Sequence, residues 1–125
     1  MPYSSSANAS LMYRADTGLI YRYSSSIRYK EDVKDLTNAV DKIMKLRPVE
    51  FKPKDSLKYT TGMIAEEVFE VMPEITFEAE IEGFDKPQVD GISYEPLHAY
   101  YIKAIQELSI KIEQLETRIQ TLENN

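Results

Sequence analysis

The chain has 125 residues, 42% of them hydrophobic and 29% charged, enough for one compact domain or for a small domain plus an extended element. A net charge of −6 argues against nonspecific nucleic-acid binding. The lack of cysteine excludes disulfide and thiolate chemistry, and the lone histidine, His98, argues against a His-rich metal site. No apolar run approaches the roughly 18 residues of a membrane-spanning helix. The residues after Met1 are rich in polar Ser and Asn and hold no basic stretch with an apolar core, so no signal peptide is read.

Residues 1–24 are rich in Ser and Tyr. Ala15-Asp16-Thr17-Gly18 reads as a turn between Leu11–Arg14 and Leu19–Tyr23, giving a short hairpin or the ragged edge of something larger. An isolated hairpin is marginal in water, so this segment reads as the end of an upstream passenger, or else as a disordered terminus. Val33, Leu36, Val40, Ile43 and Met44 recur at spacings of three and four, which predicts a helix stopped by Pro48.

Val49 and Phe51 alternate with polar residues in a short strand closed by Pro53. Gly62-Met63-Ile64 leads into a second helix, from Ala65 to about Met72, ended by Pro73. Ile75, Phe77, Ala79 and Ile81 alternate with polar residues, which predicts a half-buried strand. Gly83 to Gly91 reads as a loop and Ile92 to Tyr94 as a last strand. From Pro96 the chain reads as helix nearly to its end, with proline in the first turn, where its missing N–H is harmless.

That last helix carries a heptad pattern. Ile105, Ile112 and Ile119 fall at a, and Leu108, Leu115 and Leu122 at d. So narrow a seam implies partner helices; the rival reading is one amphipathic helix packed on its own domain. Lys111 and Arg118 occupy g, Glu116 and Glu123 occupy e. In a parallel assembly these meet as Lys111 with Glu116 and Arg118 with Glu123, both opposite in sign. Ile at a with Leu at d is the dimer preference, whereas Arg118-Ile119-Gln120-Thr121-Leu122-Glu123 fits a trimer-favouring pattern. Charge is also uneven along the chain. Residues 21–60 hold ten Lys and Arg against six Asp and Glu, and residues 61–125 hold four against fourteen. The imbalance suits an assembly in which the two segments face each other, and solvated faces explain it as well.

Chemistry concentrates in Ser24-Ser25-Ser26-Ile27-Arg28-Tyr29-Lys30. A serine needs a base, and a lysine can serve when burial or nearby positive charge disfavours its charged form. Lys30 lies five residues after Ser25, with Arg28 between them. On residue types alone this is a common pairing, and Ser26 or Asp32 reads equally well as a helix cap. Elsewhere, Glu66, Glu67 and Glu70 suggest paired carboxylates or a metal site but read more simply as a solvated face. Tyr94, Tyr100 and Tyr101 read as core or interface packing in preference to a ligand platform. His98 reads as packing or hydrogen bonding in the first turn of the long helix.

The stretch from Ser25 to Leu36 resembles the start of the intramolecular chaperone domains that end phage endosialidases, tail fibres and neck appendages, and that occur in the myelin regulatory factor. Their opening pattern is Ser-Asp-x-Arg-x-Lys; here it is Ser25-Ser26-Ile27-Arg28-Tyr29-Lys30. The likeness runs on through Leu46–Phe51, Gly62–Val68, Pro73-Glu74, Gly91–Tyr94 and Lys103–Leu108. Ser26 departs from the pattern, standing where Asp or Asn is expected.

The resemblance implies an α+β domain whose long C-terminal helix forms a parallel trimeric coiled coil, divided as passenger end 1–24, chaperone core 25–95 and coiled-coil helix 96–125. It implies a Ser25–Lys30 dyad that cuts the Ser24–Ser25 bond once in each molecule, with Ser26 and Arg28 in support. No cofactor and no metal are expected. The partners are two further copies of the chain and the upstream passenger, with no nucleic acid and no membrane. Assembly would take place in the host cytoplasm, and the released helper would be missing from the mature virion. A non-catalytic trimerisation module and a receptor-binding tip that stays on the virion are the alternatives.

Overall fold

A computed structural model describes residues 11–14, 18–22 and 25–125. The described chain falls into two units, Met1–Asp35 and Leu36–Asn125. The first contains an antiparallel hairpin of β1 (Leu11–Arg14) and β2 (Leu19–Arg22), with Leu11 opposite Arg22 and Arg14 opposite Leu19. Gly18 has φ of 69°, a conformation that glycine adopts without strain. After the hairpin, a single 3-10 turn spans Ile27–Tyr29.

The second unit runs α1 (Ala39–Ile43), β3 (Val49–Phe51), β4 (Thr60–Gly62), α2 (Ala65–Val71), β5 (Thr76–Ala79), β6 (Gln88–Ile92) and α3 (Leu97–Glu123). Its strands form two separate antiparallel pairs, β3 with β4 and β5 with β6. Val68, Met72, Ile75 and Leu97 make the buried core, and Ile43, Leu46, Met63, Val71, Ile92 and Tyr100 pack around it. The fold is thus a mixed helix-and-strand domain with a long final helix, as the sequence predicts.

Three elements differ from expectation. The helix expected over Val33–Met44 shrinks to Ala39–Ile43. Asp32 and Asn38 both adopt positive φ, at 51° and 58°, and Asp, Asn and Thr are weak helix formers that compete with the backbone for hydrogen bonds. Val33 and Met44 therefore stand exposed instead of completing a stripe. The short helix is held at its start by α3: the Glu107 carboxylate accepts the Val40 N–H at 2.9 Å, a cap supplied from 67 residues away.

The expected 83–91 loop gives way to β6 at Gln88–Ile92. A glycine inside the strand misleads sequence reading. Phe77, opposite Gly91, lays its ring across the space a side chain would fill, so a Cβ on Gly91 would meet the ring Cζ at 2.1 Å. Strand β4 was not foreseen at all. Thr60 and Thr61 are β-branched, but only their pairing with Phe51 and Glu50 makes them a strand.

Candidate cleavage turn and oligomerisation face

Ser25 and Lys30 flank the 3-10 turn. Tyr29 donates its N–H to the Ser26 carbonyl at 3.1 Å, and Lys30 to that of Ile27 at 3.0 Å. Five residues in extended form would separate the two Cα atoms by about 17 Å. The paired turns draw residues three apart to within roughly 7 Å, which shortens the path from the hydroxyl to the amine. Ser25, Arg28 and Lys30 are exposed and Ser26 is half-buried. The Arg28 guanidinium lies 5.6 Å from the centre of the Tyr29 ring, a cation–π distance. Ser24, the other side of the expected cut, lies outside the described residues. Neither Ser25 nor Lys30 is enclosed by the described residues of the single chain.

The second feature is α3. Leu97 and Ala104 are buried against its own domain, and Tyr100 donates its hydroxyl to Glu74 at 3.2 Å. Lys42 completes that corner, 3.6 Å from the Glu74 carboxylate and 5.4 Å from the Tyr100 ring centre. Further along the helix runs the heptad stripe. Ile105, Leu108, Ile112, Leu115, Ile119 and Leu122 are between 45% and 70% exposed. The first turns of α3 therefore pack on the domain, and the heptad face from Ile105 onward stands uncovered. Sequence reading missed that this face extends one heptad further up: His98 and Tyr101, both exposed, continue the a and d positions and touch edge-on with ring centres 6.3 Å apart. The same spacing of seven, carried back from Ile105 and Leu108, would have found them.

The other sequence candidates are dispersed. Glu67 pairs with Arg47 through two hydrogen bonds of 2.8 and 2.6 Å, while Glu66 and Glu70 face solvent. That hydrogen-bonded pairing, followed by charge attraction, raises the Arg47 pKa. The hydrogen bond from Arg47 is likewise the main cause that lowers Glu67 below the usual carboxylate range. No group of three His, Asp or Glu suited to a metal ion occurs among the described residues. Tyr94 accepts the Met63 N–H at 3.2 Å through its hydroxyl, Tyr100 lies beside the core and Tyr101 meets His98, so the three tyrosines form no common platform.

A serine turn ahead of a small domain with one uncovered helical face fits a self-processing assembly domain, and known proteins bear on this directly. Residues 25–76 match the model of a peptidase family described as chaperone of endosialidase. Long tail fibre proteins named Gp37 are relatives. That of Enterobacteria phage K3 is 27% identical over 128 residues, covering 90% of this chain and 10% of that protein. That of Enterobacteria phage M1 is 33% identical over 101 residues, covering 75% of this chain and 39% of that protein. The chain thus spans a tenth to two fifths of the length of these relatives.

Proposed function

We propose that this chain is an intramolecular chaperone of a phage tail-fibre protein: it assembles as a parallel trimer, aids folding of the polypeptide upstream, and is then released by cutting itself at Ser24–Ser25. The observation that carries the assembly is the uncovered heptad face of α3, flanked by Lys111, Arg118, Glu116 and Glu123 in complementary positions. The family supplies the link to chaperone and peptidase activity, and the fibre relatives supply the passenger. A trimer in place of the dimer is supported by the Arg118–Glu123 pattern together with the fibre context. Assembly belongs with phage morphogenesis, in the host cytoplasm, and release leaves the mature virion without the domain.

The chemistry follows from the turn. Ser25 Oγ attacks the Ser24 carbonyl carbon while Lys30 Nζ takes the hydroxyl proton. The C–N bond breaks, the Ser25 nitrogen gains the proton as a free amine, and Ser24 is left as an ester on Ser25. Water then hydrolyses that ester, returning the Ser25 hydroxyl and leaving a carboxylate on Ser24. The physical benefit is kinetic. Closing non-local contacts among three long chains is slow against chain entropy, and a trimeriser raises local concentration and sets register. Once it has gone, the product is held by its unfolding barrier.

Sedimentation equilibrium and intact mass test the two halves together. A trimer that yields a product starting at Ser25 is expected. An uncut trimer reduces the chain to a trimerisation module or a retained fibre tip, and a stable monomer at micromolar concentration removes the assembly reading.

A further inference from the structure

Ser26 begins two hydrogen bonds of the cleavage turn. Its carbonyl accepts the Tyr29 N–H at 3.1 Å, and its Oγ accepts the Arg28 N–H at 3.4 Å. Its backbone, at φ −63° and ψ 146°, is extended where the chain leaves the turn toward Ser25, and Lys30 closes the other end at φ −123° and ψ 144°. None of the turn's three residues is buried. A 3-10 segment this short has poor hydrogen-bond geometry of its own, and it receives no help from a core. Its geometry therefore depends on the few local bonds that Ser26 and Lys30 provide.

We propose that Ser26 is a positioning residue for the cleavage: its hydroxyl caps the turn that sets Lys30 relative to Ser25, and it carries no proton in the reaction. The inference rests on reading Ser25 and Lys30 as nucleophile and base. It also accounts for the departure from the Ser-Asp-x-Arg-x-Lys pattern. Asp, Asn and Ser differ in charge and length, but all three are strong N-cap residues whose side-chain oxygen takes a backbone N–H at the start of a turn. The position then demands a cap, and Ser26 satisfies it through a longer contact than a carboxylate would make.

The test is the cleavage rate of the full chain as a function of pH for Ser26→Ala, Ser26→Asn and Ser26→Thr, with Ser25→Ala and Lys30→Ala alongside. Loss of one cap sets the expected effect: Ser26→Ala slows cutting about fivefold, Asn and Thr restore it, and the midpoint of the pH–rate curve stays where it is. Amide hydrogen exchange at Arg28 gives a reading independent of activity: it speeds up in Ser26→Ala and is unchanged in Ser26→Asn. Wild-type cutting or unchanged Arg28 exchange in Ser26→Ala overturns the proposal. So does failure of Asn to rescue, or a shifted midpoint, which would mark the hydroxyl as part of the proton path. Cutting by Lys30→Ala at the wild-type rate would instead sink the parent reading of the dyad, while the Arg28 exchange result would still judge the cap.

Discussion

Arg47 and Glu67 show how a well-formed contact can have a small and specific effect. Their two-pronged pairing is tight, yet both side chains are largely open to water, where solvent and salt screen ion pairs. Glu67 is held below its ordinary value of 4.5 by the hydrogen bond from Arg47. A depressed carboxylate stabilises the fold above its unfolded pKa and loses that contribution as pH falls through the folded one. Glu67→Gln should therefore lower Tm slightly at pH 7, and the gap from wild type should close on acidification below about 4.5 and shrink in high salt. Gly91 offers a larger effect. Gly91→Ala must push the Phe77 ring off the strand pair, since the added Cβ would lie 2.1 Å from Cζ. A fall in Tm of a few degrees is expected, and adding Phe77→Ala should make the glycine substitution nearly neutral, because the two effects share one contact. At this scale sequence reading did unevenly. Ser26 was legible as a cap because cap chemistry is local. Asp32 was read as an equal candidate and is instead a left-handed residue. Glu107 as the cap of α1 was invisible, because its partner is remote in sequence.

Among the elements, three bounded by proline were read well: β3 before Pro53, α2 before Pro73 and α3 after Pro96 stand where expected. Proline acts through its own ring and lost donor, which needs no tertiary information. Helix α1 and strands β4 and β6 were misread because tertiary partners decide them. Leu36 and Ile43 keep the helical spacing without a helix to join them, and Gly91 passes in a strand only because Phe77 covers it. The seam of α3 was legible as a repeat from Ile105 to Leu122, and its upper heptad at His98 and Tyr101 was missed. Its energetics separate from those of the domain. Met72 is fully buried, so Met72→Ala should destabilise the domain by about 2–5 kcal/mol, read as a lowered urea midpoint. Ile112→Asp with Leu115→Asp lies on a stretch of α3 where no side chain is buried. It should leave the packing of Met72 and Leu97 intact and abolish assembly, because unpaired charges would converge at the seam. Near-ultraviolet circular dichroism and sedimentation should therefore respond to opposite members of this set.

For the whole molecule, the proposed assembly and the proposed cutting are either one event or two. Ser25 and Lys30 stand exposed on a turn with no buried residue, and a lysine becomes an effective base when it is desolvated or crowded by positive charge. Association can supply both, by covering the turn or by bringing like charges together, and the basic balance of residues 21–60 suits the second route. Coupling of this kind would also serve the proposed helper role, because a chain that cut before association would discard its trimeriser unused. Cleavage should thus rise with concentration through the range in which the trimer forms, and it should fail in the Ile112→Asp/Leu115→Asp chain even though Ser25 and Lys30 are untouched. The product should begin at Ser25. The neighbouring serines make intact mass decisive, because attack by Ser24 or Ser26 moves the new terminus by one residue. Ser25→Ala should stop cutting while leaving sedimentation unchanged. Hydroxylamine, which opens esters faster than water does, should release the same fragments sooner from wild type and none from Ser25→Ala. Cutting at the wild-type rate in the seam variant would separate assembly from catalysis and place the activation of Lys30 within the single chain. A product beginning at any other residue, or continued cutting in Ser25→Ala, would remove Ser25 from the reaction.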